Sequence, residues 1–276
     1  MANEVTVTTA ANFIPEIWSK EVQKAVENNL VLAARVKRFD SEVKGGGDTL
    51  HIPTLSNITA SDKSAGSDVT FTANTEGVVN LSINKHKVAG VDIEDIVKTQ
   101  ASYNMSSLYS DKLGYAIAKI IDSDLAALET GLSQNLGTAG TDLTDAVIVN
   151  GIIFLDEADA PLADRHFVIE PSQKGAILKL DKFVLYQNAN RERVINGELG
   201  EVYGVEIAIT NNLKVTATPT AVHNLLFHRE CFAMAMQQDI RVQSQYEIAS
   251  LSNRIVADAI YGVVEYRDAF GVDIIS

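Results

Sequence analysis

Between positions 104 and 136 the apolar residues fall at Met105, Leu108, Tyr109, Leu113, Ala116, Ile117, Ile120, Ile121, Leu125, Leu128 and Leu132. That is the i, i+3, i+4, i+7 spacing of one helical face. Asp111, Lys112, Lys119, Asp122, Ser123 and Glu129 take much of the remaining surface. No proline interrupts the run, and Gly114 costs only about 1 kcal/mol relative to alanine. The spacing predicts a helix roughly 50 Å long, well beyond the usual length of about 11–12 residues. Such a helix reads as a spine on which other layers lie.

Upstream the period changes from helical to alternating. Residues 1–12 form a polar arm with little to bury. Pro15 opens a helix whose apolar side carries Ile17, Trp18, Val22, Ala25, Val26 and Leu30. Trp18 is either a core anchor or a plug for a neighbouring subunit, a role in which tryptophan is enriched. Gly45-Gly46-Gly47 breaks the chain. A strand follows over 49–55, where Pro53 argues for an edge. Residues 69–72 are β-prone, and Val79, Leu81 and Ile83 alternate with Asn80, Ser82 and Asn84 in a second strand. Positions 49–87 therefore predict a long two-stranded excursion with a polar tip around Lys63. Such a ribbon is not stable alone in water. Leu50, Ile52, Phe71, Leu81 and Ile83 need cover, and a neighbouring copy of the same chain is a candidate for it.

Residues 88–95 lead into the spine. Gly137-Thr138-Ala139-Gly140 is a second break. The apolar run 147–155 fits a helix capped by Thr144 or a buried strand, and periodicity does not choose between them. A strand at 165–169 ends at Pro171, and Ser172 can cap a helix through Leu180. A glycine turn then leads into a strand alternating Val205, Ile207 and Ile209. Alternating β and α segments predict an α/β unit over 141–219. Beyond it, 225–227 is a strand, 230–237 is apolar and small, and 241–252 is polar. Residues 255–264 and 265–275 carry apolar positions again. These last strands have the spine as their only obvious layer, so the two ends of the chain form one discontinuous domain.

Composition narrows the function. With 276 residues, 46% hydrophobic and 21% charged, the chain belongs with soluble globular proteins of one large or two small domains. The net charge of −13, with no Lys/Arg-dense stretch, argues against a surface that grips nucleic-acid phosphates. The single cysteine, Cys231, excludes an intramolecular disulfide and fits a reducing cytoplasm. The first residues do not form a signal peptide, and no window approaches the roughly 18 apolar residues of a membrane span.

Candidate chemistry is thin. The histidines are His51, His86, His166, His223 and His228, and no two have an HExxH spacing. Cys231 near His228 reads as a small buried cysteine rather than a thiol nucleophile. Asp122 and Asp124 lie two apart and do not share a helical face. Asp156-Glu157-Ala158-Asp159 lacks the glycine and ligand spacing of an EF-hand. Gly45-Gly46-Gly47 lacks the Lys-Ser/Thr of a phosphate loop. Asn57, Asn80 and Asn104 begin glycosylation sequons that mean nothing without secretion. No catalytic, cofactor or metal residue is expected.

Three stretches carry a resemblance. They are Arg165-His166-Phe167-Val168-Ile169-Glu170-Pro171; Gly197-Glu198-Leu199-Gly200-Glu201-Val202-Tyr203-Gly204-Val205 with Thr210-Asn211-Asn212-Leu213; and His228-Arg229-Glu230 with Ala233, Tyr261-Gly262-Val263 and Gly271-Val272. In this order and spacing the chain resembles the major capsid protein of tailed bacteriophages, the Hong Kong 97 phage capsid fold. The resemblance implies an α+β chain of five parts. They are an N-terminal arm and helix (1–44), an extended β-ribbon loop (45–87), a peripheral domain with the spine helix (88–140), an inserted α/β axial domain (141–219) and returning peripheral strands (220–276).

The implied function is structural rather than enzymatic: self-assembly through hexamers and pentamers into an icosahedral shell around double-stranded DNA. The DNA is enclosed without specific binding, and no membrane is involved. The portal and, since no long leader precedes the arm, a separate scaffolding protein are the further partners. The protein would be made in the host bacterial cytoplasm and reside in the virion. Trp18, Leu50, Ile52, Lys63, Phe71, Leu81 and Ile83 are the candidate subunit-interface residues. Lys63 has the chemistry for an intersubunit isopeptide bond, but nothing marks a partner, and a solvated lysine is the simpler reading. The alternatives are an encapsulin-like compartment and a soluble α+β hydrolase or ligand-binding protein.

Overall fold

A computed structural model describes residues 31–55, 60, 62–66, 68–69, 71, 76–100, 105–179, 200–217 and 220–276. The expected helix bearing Trp18, and the arm before it, lie outside the described residues. In chain order the elements begin with β1 (Lys37–Arg38), α1 (Asp40–Val43), β2 (Thr49–Leu55), β3 (Glu76–Ser82), β4 (Lys85–Glu94) and α2 (Asp95–Gln100). Next come α3 (Met105–Ala126), β5 (Asn135–Gly137), α4 (Asp145–Glu157), β6 (Arg165–Ile169) and α5 (Pro171–Leu178). The remainder is β7 (Glu201–Val202), β8 (Val205–Ile209), β9 (Val215–Ala217), β10 (Thr220–His228), β11 (Phe232–Glu247), β12 (Ser252–Glu265) and β13 (Gly271–Ile275).

Three sheets result. One has the order β1-β11-β12-β4, a second the order β5-β13-β10-β6-β8-β7 with β9 on β10, and the third is the ribbon β2-β3. The long helix α3 lies on the first sheet, against β12, β4 and β11. Its Ile117, Ile121 and Leu125 are buried with Ala257, Ala259 and Tyr261. The same core continues through Phe167, Leu225, Phe227, Val272 and Ile274 of the second sheet. In that sheet β6 and β8 are parallel, with α5 in the connection between them.

The helix is shorter than its apolar spacing predicts. It ends at Ala126 after 22 residues, about 33 Å at 1.5 Å per residue. Residues Ala127–Gly131 tighten into a 3-10 turn, and Leu132 is extended with ψ 129°. Beyond the helix Leu132 is still buried in the main core, with Leu128 and Leu136 packed against it, although the backbone there is no longer α-helical. At the end of this turn Gly131 lies close to β12: a Cβ there would be 2.0 Å from the Glu265 carboxylate.

The ambiguous run 147–155 is helical, inside α4. Thr144 occupies the N-cap position but makes no side-chain capping bond. At the next helix Glu170, not Ser172, is the cap; its carboxylate accepts the Ser172 N–H at 2.8 Å, and Pro171 opens the helix. That helix stops at Leu178 rather than Leu180.

The strands of 220–276 divide between the two larger sheets. Strands β11 and β12 do pair beside β4 over α3. Strands β10 and β13 instead pair with β6 and β5 in the second sheet. Two parallel strands with one helix bury too little surface to stand alone, and the late strands complete that layer. The polar stretch 241–252 is strand to Glu247 and a turn over 248–251. It forms the outer reach of the β11–β12 hairpin, with register shifts near Gln238.

Candidate functional site

The ribbon shows how alternation is used. In the β2–β3 register Leu50 faces Leu81 and Ile52 faces Val79, while His51 faces Asn80 and Pro53 faces Val78. Odd and even positions point to opposite faces of a strand. The inner face meets Val43, Ala233 and Ala235, with Phe39, Val264 and Tyr266 around them. Ile52 and Leu81 are buried, and Leu50 and Ile83 are partly buried against this second core. The expectation that these four depend on a neighbouring copy for cover is therefore corrected: their cover comes from their own chain. Strand β11 makes this possible. Its Phe232, Met234 and Met236 join the main core while Ala233 and Ala235 take the ribbon. Gly262 lets the ribbon approach, since a Cβ there would lie 2.3 Å from the Ser82 carbonyl oxygen.

The outer face and the tip remain open. Leu55 and Val78 are exposed, Lys63 is exposed, and Phe71 is 91% exposed. Of the seven sequence candidates, the structure thus leaves Lys63 and Phe71 outward, turns four inward, and does not describe Trp18.

A second open apolar group escaped the sequence reading. At the far end of the β11–β12 hairpin, Ile248 is 78% exposed, and Leu251, Tyr246 and Val242 are exposed with it. Ile96 and Val97 of α2 are exposed nearby. The Asp95 N–H donates to the Leu251 carbonyl at 3.0 Å, and the Tyr246 hydroxyl donates to Asp95 Oδ2 at 2.7 Å. An open cavity of about 260 Å³ between α2 and β4 is lined by Val91, Ile93, Val97 and Tyr109. The sequence signal was faint: Val242, Tyr246, Ile248 and Leu251 are scattered through an otherwise polar stretch.

The joints between layers are polar. Arg35 Nη2 bonds Glu206 Oε1 at 2.5 Å, and His166 Nδ1 lies 3.0 Å from Glu206 Oε2. Arg35 holds the Glu206 carboxyl below its usual range. Burial lowers the His166 pKa despite that carboxylate. On the open face of the first sheet, Arg241 Nε and Nη2 donate to Asp258 at 2.8 and 3.1 Å. Gln238 Nε2 adds a bond at 2.7 Å and His86 Nε2 lies 3.3 Å away. Arg241 first, then Gln238 and His86, hold the Asp258 carboxyl down at about 2.

The residues considered for chemistry sit in structural roles. Cys231 is fully buried, and burial pushes its thiol well up, which disfavours the thiolate that nucleophilic chemistry needs. The His228 ring accepts the Glu230 N–H at 3.2 Å and stands edge-on to Phe270. His223 pairs with the buried Asp273 at 2.7 Å. Asp156, once a calcium candidate, pairs with the buried Arg165 at 2.7 Å. Among the described residues no three His, Cys, Asp or Glu are grouped to hold a metal ion. Among the same residues no helix is long and apolar enough to cross a membrane.

No protein-family model and no curated protein sequence matches the chain. Solved structures do. A structure from Mycobacterium phage Che8 is 26% identical, with 95% of this chain and 97% of that chain covered at a TM-score of 0.80. The capsid of cyanophage P-SCSP1u is 17% identical over 96% and 93% of the two chains at a TM-score of 0.75. The capsid of a native GTA particle is 11% identical over 100% and 99% at a TM-score of 0.71.

Proposed function

We propose that this protein, which has the tailed-phage major capsid fold, is the structural subunit of a phage shell. One observation carries the reading: the likeness to capsid structures extends over nearly the full length of both chains. It therefore covers ribbon, spine and both large sheets together, rather than one common supersecondary unit. Open apolar residues at two extremities, Phe71 on the ribbon and Ile248 on the hairpin, support it. They sit where an isolated domain has no use for them.

The working division is an arm and helix (1–44), an extended loop (45–87), a peripheral domain (88–140 and 220–276) and an axial domain (141–219). The observed sheet would carry β10 and β13 into the axial part. The ribbon's outer face and tip, with Lys63 and Phe71, reach an adjacent subunit, as does the segment that carries Trp18. Leu50, Ile52, Leu81 and Ile83 brace the ribbon's base from within. Copies associate as hexamers and pentamers, and many modest contacts add into a stable lattice. The net charge of −13 suits a container whose wall does not adhere to the DNA inside. Portal and a separate scaffolding protein complete the assembly, which takes place in the host bacterium before the shell becomes part of the virion.

Electron microscopy of the protein purified from expressing cells, alone and with its scaffold, tests this. Closed icosahedral particles are expected. Monomers of about 30 kDa under every assembly condition would overturn the reading.

A further inference from the structure

The first described turn, residues 31–33, wraps around one carboxylate. Asp122 Oδ2 accepts the Val31 N–H at 2.8 Å and the Leu32 N–H at 3.5 Å, and Oδ1 accepts the Ala33 N–H at 3.0 Å. Asp122 lies within α3 and is fully buried. The sequence pattern had put it on the open surface of the helix, and its burial is a correction. Among the described residues no Lys, Arg or His forms an ion pair with it. A buried carboxylate without a cation needs a full set of hydrogen-bond donors. Consecutive backbone N–H groups on a turn make an anion-binding concavity, and here the anion belongs to the same chain.

Arg35 closes the turn from the other side. Its N–H donates to the Leu32 carbonyl at 2.9 Å and its Nη1 to the Val31 carbonyl at 3.0 Å, while Nη2 reaches Glu206 on β8. Two residues later the chain pairs with β11. The strap 31–38 thus touches the spine and both large sheets. Leu32 and Val36 bury their side chains in the main core, but apolar burial is non-directional. Hydrogen bonds to one fixed carboxylate are directional. The apolar contacts hold the strap down, and Asp122 aims it.

We propose that Asp122 is a positioning residue for assembly. It sets the point on the spine, and the direction, at which Val31 and the strap 31–38 are held in the assembled shell. The inference rests on the capsid reading. It assigns a polar side chain of the helix interior to the shell's geometry rather than to the subunit's stability alone.

The test is Asp122→Asn, which keeps the volume but offers one acceptor oxygen and turns an NH₂ toward backbone donors. Hydrogen exchange by mass spectrometry over residues 31–38 is expected to speed up at least tenfold with the circular dichroism unchanged. Particle yield or size uniformity should be lost alongside. Asp124→Asn is the control: it should lower the melting temperature without changing exchange at 31–38. Unchanged exchange in Asp122→Asn, or faster exchange with particles like the wild type's, overturns the proposal. If Asp122→Asn does not fold, exchange in the wild-type free subunit decides. Protection at 31–33 equal to the interior amides of α3 supports the pin, and loop-like rates overturn it. If the wild type itself forms no particles, the capsid reading fails and the assembly role falls with it, whatever exchange shows at the turn.

Discussion

The Tyr261 hydroxyl donates a 2.7 Å hydrogen bond to Asp124 Oδ2, joining the middle of β12 to the spine helix across 137 positions of sequence. Lys85 and Lys87 of β4 reach the same carboxylate at 3.0 and 3.3 Å. One side chain of α3 thus ties two neighbouring strands of the sheet beneath it. Burial opposes ionisation of Asp124, and Tyr261, Lys85 and Lys87 outweigh it, so its carboxyl sits below the ordinary range. Burial first, and then Asp124, push the Tyr261 hydroxyl up.

Tyr261→Phe removes one donor and leaves both lysines. The expected cost is about 1 kcal/mol, or about 2–4 °C in melting temperature for a chain of this size. Asp124→Ala removes the acceptor of three donors and should cost more. Thermal unfolding of the free subunit checks the order of the two variants.

Asp258 gives the first sheet an acid limit. Its folded pKa of about 2 lies below the ordinary 3.8, so its contribution to stability is present above that ordinary value. The contribution is lost as pH falls from 3.8 through about 2. Asp258→Asn should be destabilised at pH 6 and should lose less stability than the wild type between pH 4 and pH 2. Denaturant unfolding at the three pH values measures this; parallel losses in both proteins would remove Asp258 from the acid response.

Gly262→Ala places a methyl against the Ser82 carbonyl and Leu81 Cδ2. Overpacking of this kind costs about 1–3 kcal/mol. The strain falls on the contact between ribbon and β12, so the base of the ribbon should become protease-sensitive before the rest of the subunit unfolds. Proteolysis followed over time, with fragments identified by mass, distinguishes this from global unfolding.

Trypsin should cut after the exposed Lys63 in free subunits. The two pieces should stay together, because β2 and β3 pair over seven positions and share the core with Val43 and Ala235. Assembled particles should be resistant. Equal cleavage in both forms would withdraw the ribbon tip from the intersubunit contacts.

Phe71→Ser changes a side chain that touches little of its own subunit. Stability of the free subunit should stay within about 0.5 kcal/mol, while particle yield falls. A folded variant that assembles like the wild type would show that Phe71 is not a contact.

Several elements were legible from residue order alone. Alternation at 49–55 and around Leu81 determined the ribbon, and the residues at 165–169 and 205–209 determined two strands of the larger sheet. The helical period around Ile117 located the spine. These signals are local: a period of 2 or 3.6 states which side of an element is apolar. It does not state what covers that side, and only the tertiary structure decided that Leu81 and Ile52 lie on β11 of their own chain while Phe71 lies open. In the hairpin over 238–252, Ile240, Val242, Tyr246 and Ile248 do alternate with polar residues, but Ser244 interrupts the run and all four are exposed, so the stretch read as polar and only the cross-strand pairing shows the strand. Asp122 stayed hidden for a related reason. Its partners are backbone N–H groups, which every residue except proline carries and which leave no trace in side-chain identity. A carboxylate's place inside the helix layer is decided by where a turn 90 positions earlier folds back onto it.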